Sequence, residues 1–215
     1  MRAWRPGTVL LICLALPPFA GLTAATAREP SIALRLEEIE VVNRKASQSG
    51  DEIRLDAAPG AGLAWIRGLE LNEGCLSLEV QGSNEFGRSF VGIAFRALDA
   101  DVYDTVYVRP FVFQSDNPEY VANGLQYMSM PEFGWPVLRQ RSPGVYEKSI
   151  GSRPNPEDWV HLEVRFGGGR LRAFVNRAAE PQLDVPLLTS QSAGRVALWV
   201  GNNSSGAFRQ LSRCA

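Results

Sequence analysis

The sequence predicts an all-β protein built as a two-sheet antiparallel β-sandwich, and three observations carry that expectation. Between residues 41 and 199 the chain is a succession of short runs rich in Val, Ile, Leu, Phe and Tyr, separated by Gly, Pro, Asn and Asp, with no sustained helical period. From Val160 to Phe166 alternation is regular. Val160, Leu162, Val164 and Phe166 share one face and His161, Glu163 and Arg165 the other, as a half-buried antiparallel strand requires. So many strands in one open sheet would leave apolar faces wet, whereas two packed sheets share a core.

Taken in order, strands are expected over residues 39–42, 52–57, 62–66, 75–81, 90–98, 105–113, 125–128, 137–139, 159–166, 171–176, 194–201 and 207–211. Phe166 and Arg170 enclose three glycines, which accept the positive φ of a tight hairpin connection. Leu171, Ala173 and Val175 then resume the alternation. Residues 129–158 carry Pro131, Pro136, Pro143, Pro154 and Pro156 and read as a long excursion with one short strand around Leu138. Excursions of that length in compact domains are functional or mobile, and Phe133, Trp135 and Tyr146 favour function. Trp65, Trp159 and Trp199 are assigned to the core.

The first residues have the form of an export signal. Arg2 and Arg5 give a positive start, residues 8–20 are mostly apolar, and Ala25, Thr26 and Ala27 offer small residues for cleavage. Residues 1–27 are therefore read as a signal peptide and 28–215 as a single β-sandwich domain, periplasmic or secreted. An uncleaved anchor is disfavoured because Pro17 and Pro18 break the run short of the roughly 20 apolar residues a span needs. No membrane span is expected in the mature chain. Loss of Cys13 with the signal leaves Cys75 and Cys214, an even pair entering an oxidising compartment, for which a disulfide is expected over two free thiols. The formal net charge is −1, and neither nucleic acid nor anionic lipid is an expected partner.

Polar and planar groups set in apolar strand patterns single out a candidate ligand site: Arg96, Tyr107, Arg109, Gln126, Tyr127, Trp135 and Asn202. Alternation places Arg96 with Ala94, and Arg109 with Tyr107, on faces opposite Phe95 and Val108, so both guanidinium groups are expected to turn toward one shared hollow. A guanidinium offers a planar fork of five donors, suited to sugar hydroxyls or to a uronic or sialic carboxylate. The alternative is a structural pair with Glu147 or Asp104, since a buried arginine requires a partner either way. Trp135, Tyr107 and Tyr127 supply flat apolar faces, with Gln126 and Asn202 as directional donors and acceptors.

In their order, Val91 to Arg96, Tyr107 to Pro110, Gln126, Tyr127, Trp135, Tyr146, Glu147, Trp159 and residues 194–202 resemble the concanavalin A-like lectin and glucanase superfamily. Within it the chain is most similar to the branch known as DUF1080, or 3-keto-disaccharide hydrolase domains. The resemblance runs from about residue 39 to the C-terminus and implies a jelly roll with carbohydrate binding or carbohydrate chemistry on its concave face. The Glu-x-Asp-x-Glu signature of the related glucanases does not occur.

Three functions follow as expectations: a carbohydrate-binding, lectin-like domain; a glycoside-type hydrolase acting on a sugar or 3-keto-sugar derivative; or a non-catalytic structural or protein-interaction module. Hydrolysis in its usual form needs two carboxyl groups about 5 to 9.5 Å apart across the sugar, for which Glu132 and Glu147 are the candidates. The single histidine, His161, lies on a strand face away from the core and makes a catalytic triad improbable. No cofactor is required and no metal site is assigned. Asp99, Asp101 and Asp104 crowd a turn and invite a calcium reading, but lack the spacing of an EF-hand loop.

Overall fold

The computed structural model describes residues 1, 31–191 and 194–214; the expected export signal lies outside the described residues. Fourteen strands and two short α-helices are described: β1 Ile39–Val42, β2 Ala46–Ser49, β3 Glu52–Leu55, β4 Gly62–Glu70, β5 Gly74–Gln81, β6 Val91–Ala97, β7 Tyr103–Val108, α1 Pro118–Val121, β8 Leu125–Met130, α2 Trp135–Arg141, β9 Glu147–Lys148, β10 Val160–Gly167, β11 Arg170–Val175, β12 Leu183–Pro186, β13 Arg195–Val200 and β14 Gly206–Arg213. They form two seven-stranded sheets, ordered β1-β4-β13-β6-β7-β8-β9 and β12-β11-β10-β5-β14-β3-β2. The pairings within both are antiparallel. The expected all-β sandwich is the observed architecture.

The inter-sheet core follows from period-two alternation. Ile93 and Phe95 of β6, Val106 and Val108 of β7 and Leu198 of β13 meet Leu76 and Leu78 of β5, Leu162 and Val164 of β10 and Phe208 of β14, all essentially inaccessible to water. Phe95 stacks on Phe166 across the gap with ring centroids 4.4 Å apart. Each such side chain contributes about 2 to 3 kcal/mol by burial.

The two sheets differ on their outer faces. That of β10 and β11 is wet, which is why β10 alternates so cleanly between buried and accessible residues. The outer face of the first sheet is covered, and a second apolar cluster forms there from Leu63, Trp65, Tyr107, Met128, Trp199 and Leu138 of α2. Burial on both sides explains why β6 and β7 read as nearly unbroken apolar runs.

Several expectations change. Residues 137–139 are helical within α2: Gly134 caps the helix and Pro136 sits in its first turn, where a missing N–H costs nothing. The strand expected over 105–113 ends at Val108 because Pro110 opens a 3-10 turn over Pro110–Val112. The strands β2, β9 and β12 were not anticipated, and β2, with the sequence Ala-Ser-Gln-Ser at a sheet edge, has no apolar face to signal it. Trp65 and Trp199 are buried as expected, but Trp159 is only half-buried, with the Arg209 guanidinium 4.1 Å above its ring.

Cys75 and Cys214 form a disulfide, with Cα atoms 5.0 Å apart and a sequence separation of 139. The bridge fastens β5 to the chain just beyond β14, where Cys214 N–H also donates to the Cys75 carbonyl.

Candidate functional site

Where β7 ends, Arg109 turns the chain into the loop that carries α1, and β8 returns beneath it. Tyr107 and Gln126 are register partners on β7 and β8, and both face away from the inter-sheet core. The Tyr107 hydroxyl donates to Gln126 Oε1 at 3.0 Å, and Arg109 donates to that hydroxyl at 3.0 Å, to Gln126 Oε1 and to the Asn123 carbonyl. Room for Tyr107 comes from Gly92 on the neighbouring strand, where an added Cβ would lie 2.6 Å from the Tyr107 Cα. Burial pushes the Tyr107 phenol up from its ordinary value against the opposing pull of the Arg109 charge.

Glu147 of β9, register partner of Gln126, completes the floor. It is 7% exposed and accepts two hydrogen bonds from Arg139 of α2, from Nε at 3.1 Å and from a terminal nitrogen at 2.8 Å, with Arg109 3.6 Å away. The hydrogen bond to Glu147 holds the Arg139 guanidinium above its ordinary value, against the effect of burial. Arg139 also lies 5.1 Å from the centre of the Trp135 ring.

Above this floor is a cleft of about 410 Å³. Its walls are aromatic: Phe90 and Phe111 pack edge to face, Phe86 continues the row against Phe111 and Tyr120, and Trp135 stands with Arg139 in the same lining. Asn123 and Asn202 add amide groups. Phe86, Tyr120 and Trp135 are 66, 43 and 48% exposed, and among the described residues they are the exposed aromatics, all three in this one cleft. A hollow of about 430 Å³ beside β2 and β3 is lined by Lys45, Arg54, Asp56 and small residues without an aromatic ring, and offers no comparable platform.

Five of the seven residues singled out in the sequence thus gather here: Arg109, Trp135 and Asn202 in the lining, Tyr107 and Gln126 in the floor. Arg96 and Tyr127 do not. A β-bulge opposite Arg195 and Ala197 puts Arg96 at φ 51° and reverses its side, so the expected common hollow of the two arginines is not formed. Arg96 instead turns toward the inter-sheet side, with Nε 3.1 Å from Asp104 Oδ2 and both residues buried, and it donates to the Thr189 carbonyl and hydroxyl. Tyr127 belongs to the inter-sheet core, where its hydroxyl accepts the Leu188 N–H. The structural-pair alternative describes Arg96 and Asp104 directly, and the contact of Arg109 with Glu147 as well.

Glu132 is exposed on the turn before α2 and does not line the cleft. Asp99 and Asp104 are engaged separately: Asp99 Oδ1 accepts the Asp101 and Val102 amides at 2.8 Å, while Asp104 faces Arg96. Among the described residues the one cluster of metal-ligand type is Cys75, Glu163 and Cys214, whose two sulfurs are bonded to each other. Phe86, Phe90, Phe111, Tyr120 and Arg139 were not anticipated. The signal available was the pair Phe86 and Phe90 on either side of Gly87 and the helix-opening Asn-Pro-Glu-Tyr of residues 117–120.

The antiparallel two-sheet sandwich has the concanavalin A-like jelly-roll fold. Solved structures of that kind superpose on it. The carbohydrate-binding module CBM66 from Bacillus subtilis matches with a TM-score of 0.62 and 12% identity over 83% of this chain and 96% of that one. The exoplasmic/lumenal domain of VIP36, in a form bound to Ca2+ and Man3GlcNAc, gives 0.56 and 12% over 87 and 88%, and a native glycosidic hydrolase gives 0.54 and 9% over 88 and 97%. No family model matches the sequence, the 3-keto-disaccharide hydrolase branch included, and no curated protein matches it.

Proposed function

We propose that this is an exported carbohydrate-binding domain that holds its ligand in the cleft between Phe86, Tyr120 and Trp135. The observation that carries this reading is the convergence of the exposed aromatic side chains on one hollow floored by a fixed polar network. Flat rings suit the C–H faces of a pyranose, and amides with guanidinium N–H groups suit its hydroxyls. A network whose members already satisfy one another needs little reordering when the ligand arrives, and that lowers the cost of binding. Solved structures sharing the fold include a carbohydrate-binding module and a mannose-containing complex, which agrees with a sugar ligand. The disulfide agrees with an oxidising compartment, periplasmic or extracellular.

The hydrolase reading fares worse on these residues. Glu147 is committed to Arg139, Glu132 stands outside the cleft, and among the described lining residues there is no carboxyl group. An interaction module would use exposed rings as well, but a recessed cleft with a fixed polar floor suits a small flat ligand better than a protein surface.

The test is a glycan array followed by calorimetry on the chain from residue 28, with Trp135→Ala and Phe86→Ala beside the parent. Loss of one stacking face should weaken binding about tenfold with the melting temperature unchanged. A parent that binds no glycan, or variants that bind as well as the parent, would overturn the proposal, and release of product from a bound oligosaccharide would restore the hydrolase.

A further inference from the structure

We infer that the ligand of this cleft is an acidic sugar, a hexuronate residue whose carboxylate is received by Arg139; the inference rests on the carbohydrate reading above. The charges of the site point there. Of the residues lining the cleft, the ionised ones are both arginines, Arg109 and Arg139, and no acid joins them. The carboxylate that touches these arginines is Glu147, which lies below the lining at 7% exposure and serves both guanidinium groups. Two cations share one anion, so the cleft keeps an uncompensated positive charge between aromatic walls, where water is partly excluded and an ionic contact is stronger than on an open surface.

Arg109 is not the group that meets the ligand. It is 6% exposed in its side chain, and its terminal nitrogens are spent on Asn123, Gln126 and Tyr107. Arg139 is different. It remains 43% exposed, and Glu147 engages Nε and one terminal nitrogen, leaving N–H donors of the fork to point elsewhere. Glu147 fixes the plane of that fork, and the Trp135 ring lies 5.1 Å from its centre. A ring platform beside a held guanidinium matches a pyranose with a carboxylate on its exocyclic carbon: the C–H face lies on Trp135 while the carboxylate accepts from Arg139. A neutral hexose would stack equally well but leave the charge unanswered.

The experiment compares each probe with its uncharged twin: oligogalacturonate and oligoglucuronate against their methyl esters, by calorimetry on the chain from residue 28 at physiological salt. The acids should bind about tenfold more tightly than the esters, the worth of one charge-assisted contact. Arg139→Gln should remove that preference, so that the variant binds acid and ester with equal affinity whatever its absolute affinity, and Arg139→Lys should keep part of it; circular dichroism checks that both variants fold. Equal affinity of acid and ester for the parent overturns the inference with the sugar site intact. Binding confined to neutral glycans overturns it as well. Silence on every glycan, charged or neutral, removes the carbohydrate reading beneath it.

Discussion

Replacing Arg96 by methionine isolates the worth of the ion pair at the end of the sandwich. The Arg96 and Asp104 side chains are each 2% exposed, with Nε 3.1 Å from Oδ2. Arg96 also donates to Thr189 at 2.9 and 3.0 Å, which ties the segment after β12 to the bulge in β6. Methionine retains most of the aliphatic stem but leaves the Asp104 carboxylate buried without a cation, and stranding one member of a buried pair costs about 3 to 5 kcal/mol. With a urea slope of about 2.5 kcal/mol/M, the unfolding midpoint should fall by about 1.5 M. The loss carries a pH signature. Burial already pushes the Asp104 carboxyl above its ordinary 3.8, against the pull of Ser129 and of the Arg96 charge. An acid whose folded value is raised stabilises the native chain fully below its unfolded value, and that contribution disappears as pH rises through the folded value. Removing Arg96 takes away one downward pull and moves the folded value further up. The penalty should therefore be greatest at neutral pH and shrink on acidification as the Asp104 carboxyl takes up its proton, and adding Asp104→Asn should recover much of the stability and abolish that pH dependence. The assay is equilibrium urea unfolding followed by tryptophan fluorescence. A penalty below about 1 kcal/mol at neutral pH, the scale of a surface pair, or one that does not relax on acidification, would refute the reasoning.

Two further outcomes test the frame around the site. Replacing Cys75 and Cys214 together by serine should cost about 5 kcal/mol, the chain-entropy worth of a crosslink across so long a loop, read from urea midpoints; an unchanged midpoint would show that the bridge does not hold the ends. Gly92→Ala should destabilise by about 3 kcal/mol or more in thermal melts, because the new methyl meets backbone atoms of β7 that cannot swing aside; a variant as stable as the parent would mean that the β6 and β7 strands are further apart than described.

The sandwich was legible because period-two alternation is a direct projection of burial. It is cleanest in β10, where one face is wet, and it still locates β6 and β7, where burial on both sides turns alternation into a run. The hairpin between β10 and β11 could be read from its glycines, which take positive φ there. The strands missed are those whose apolar content is too small to project: β2 is polar at a sheet edge, β9 is the two charged residues Glu147 and Lys148, and β12 buries just Leu183 and Val185. The helix α2 was hidden by Pro136, which reads as a breaker in sequence but fits the first turn of a helix. Tyr107 and Gln126 were legible for the same reason as the strands, being polar or planar groups held in phase with an apolar pattern. Arg96 was misplaced because a single inserted residue reverses the parity on which alternation depends, and a sequence does not mark where a bulge falls. Phe86 belongs to a loop and Tyr120 to the single turn of α1, both too short for a period to say which way a ring points.

The same two-sided burial that obscured the first sheet's pattern accounts for the place of the cleft. A sheet with apolar side chains on both faces must be covered twice, and α2 with its flanking loops provides the second cover. Cover of this kind ends somewhere, and at its margin the groups beneath are neither in the core nor fully in water. At that margin Tyr107, Arg109, Gln126 and Glu147 satisfy one another, because buried polar atoms left unpaired would each cost about 1 to 3 kcal/mol. Mutual satisfaction fixes their positions, and Glu147 then fixes Arg139 on the covering helix. The cover is thereby latched to the sheet by the ion pair that also orients the exposed fork. Weakening the latch by Glu147→Gln should reduce stability and affinity for acidic sugars together, whereas Trp135→Ala should reduce affinity alone. Those two responses, measured side by side by thermal melts and calorimetry, separate a site built into the fold from aromatic rings that happen to share a surface.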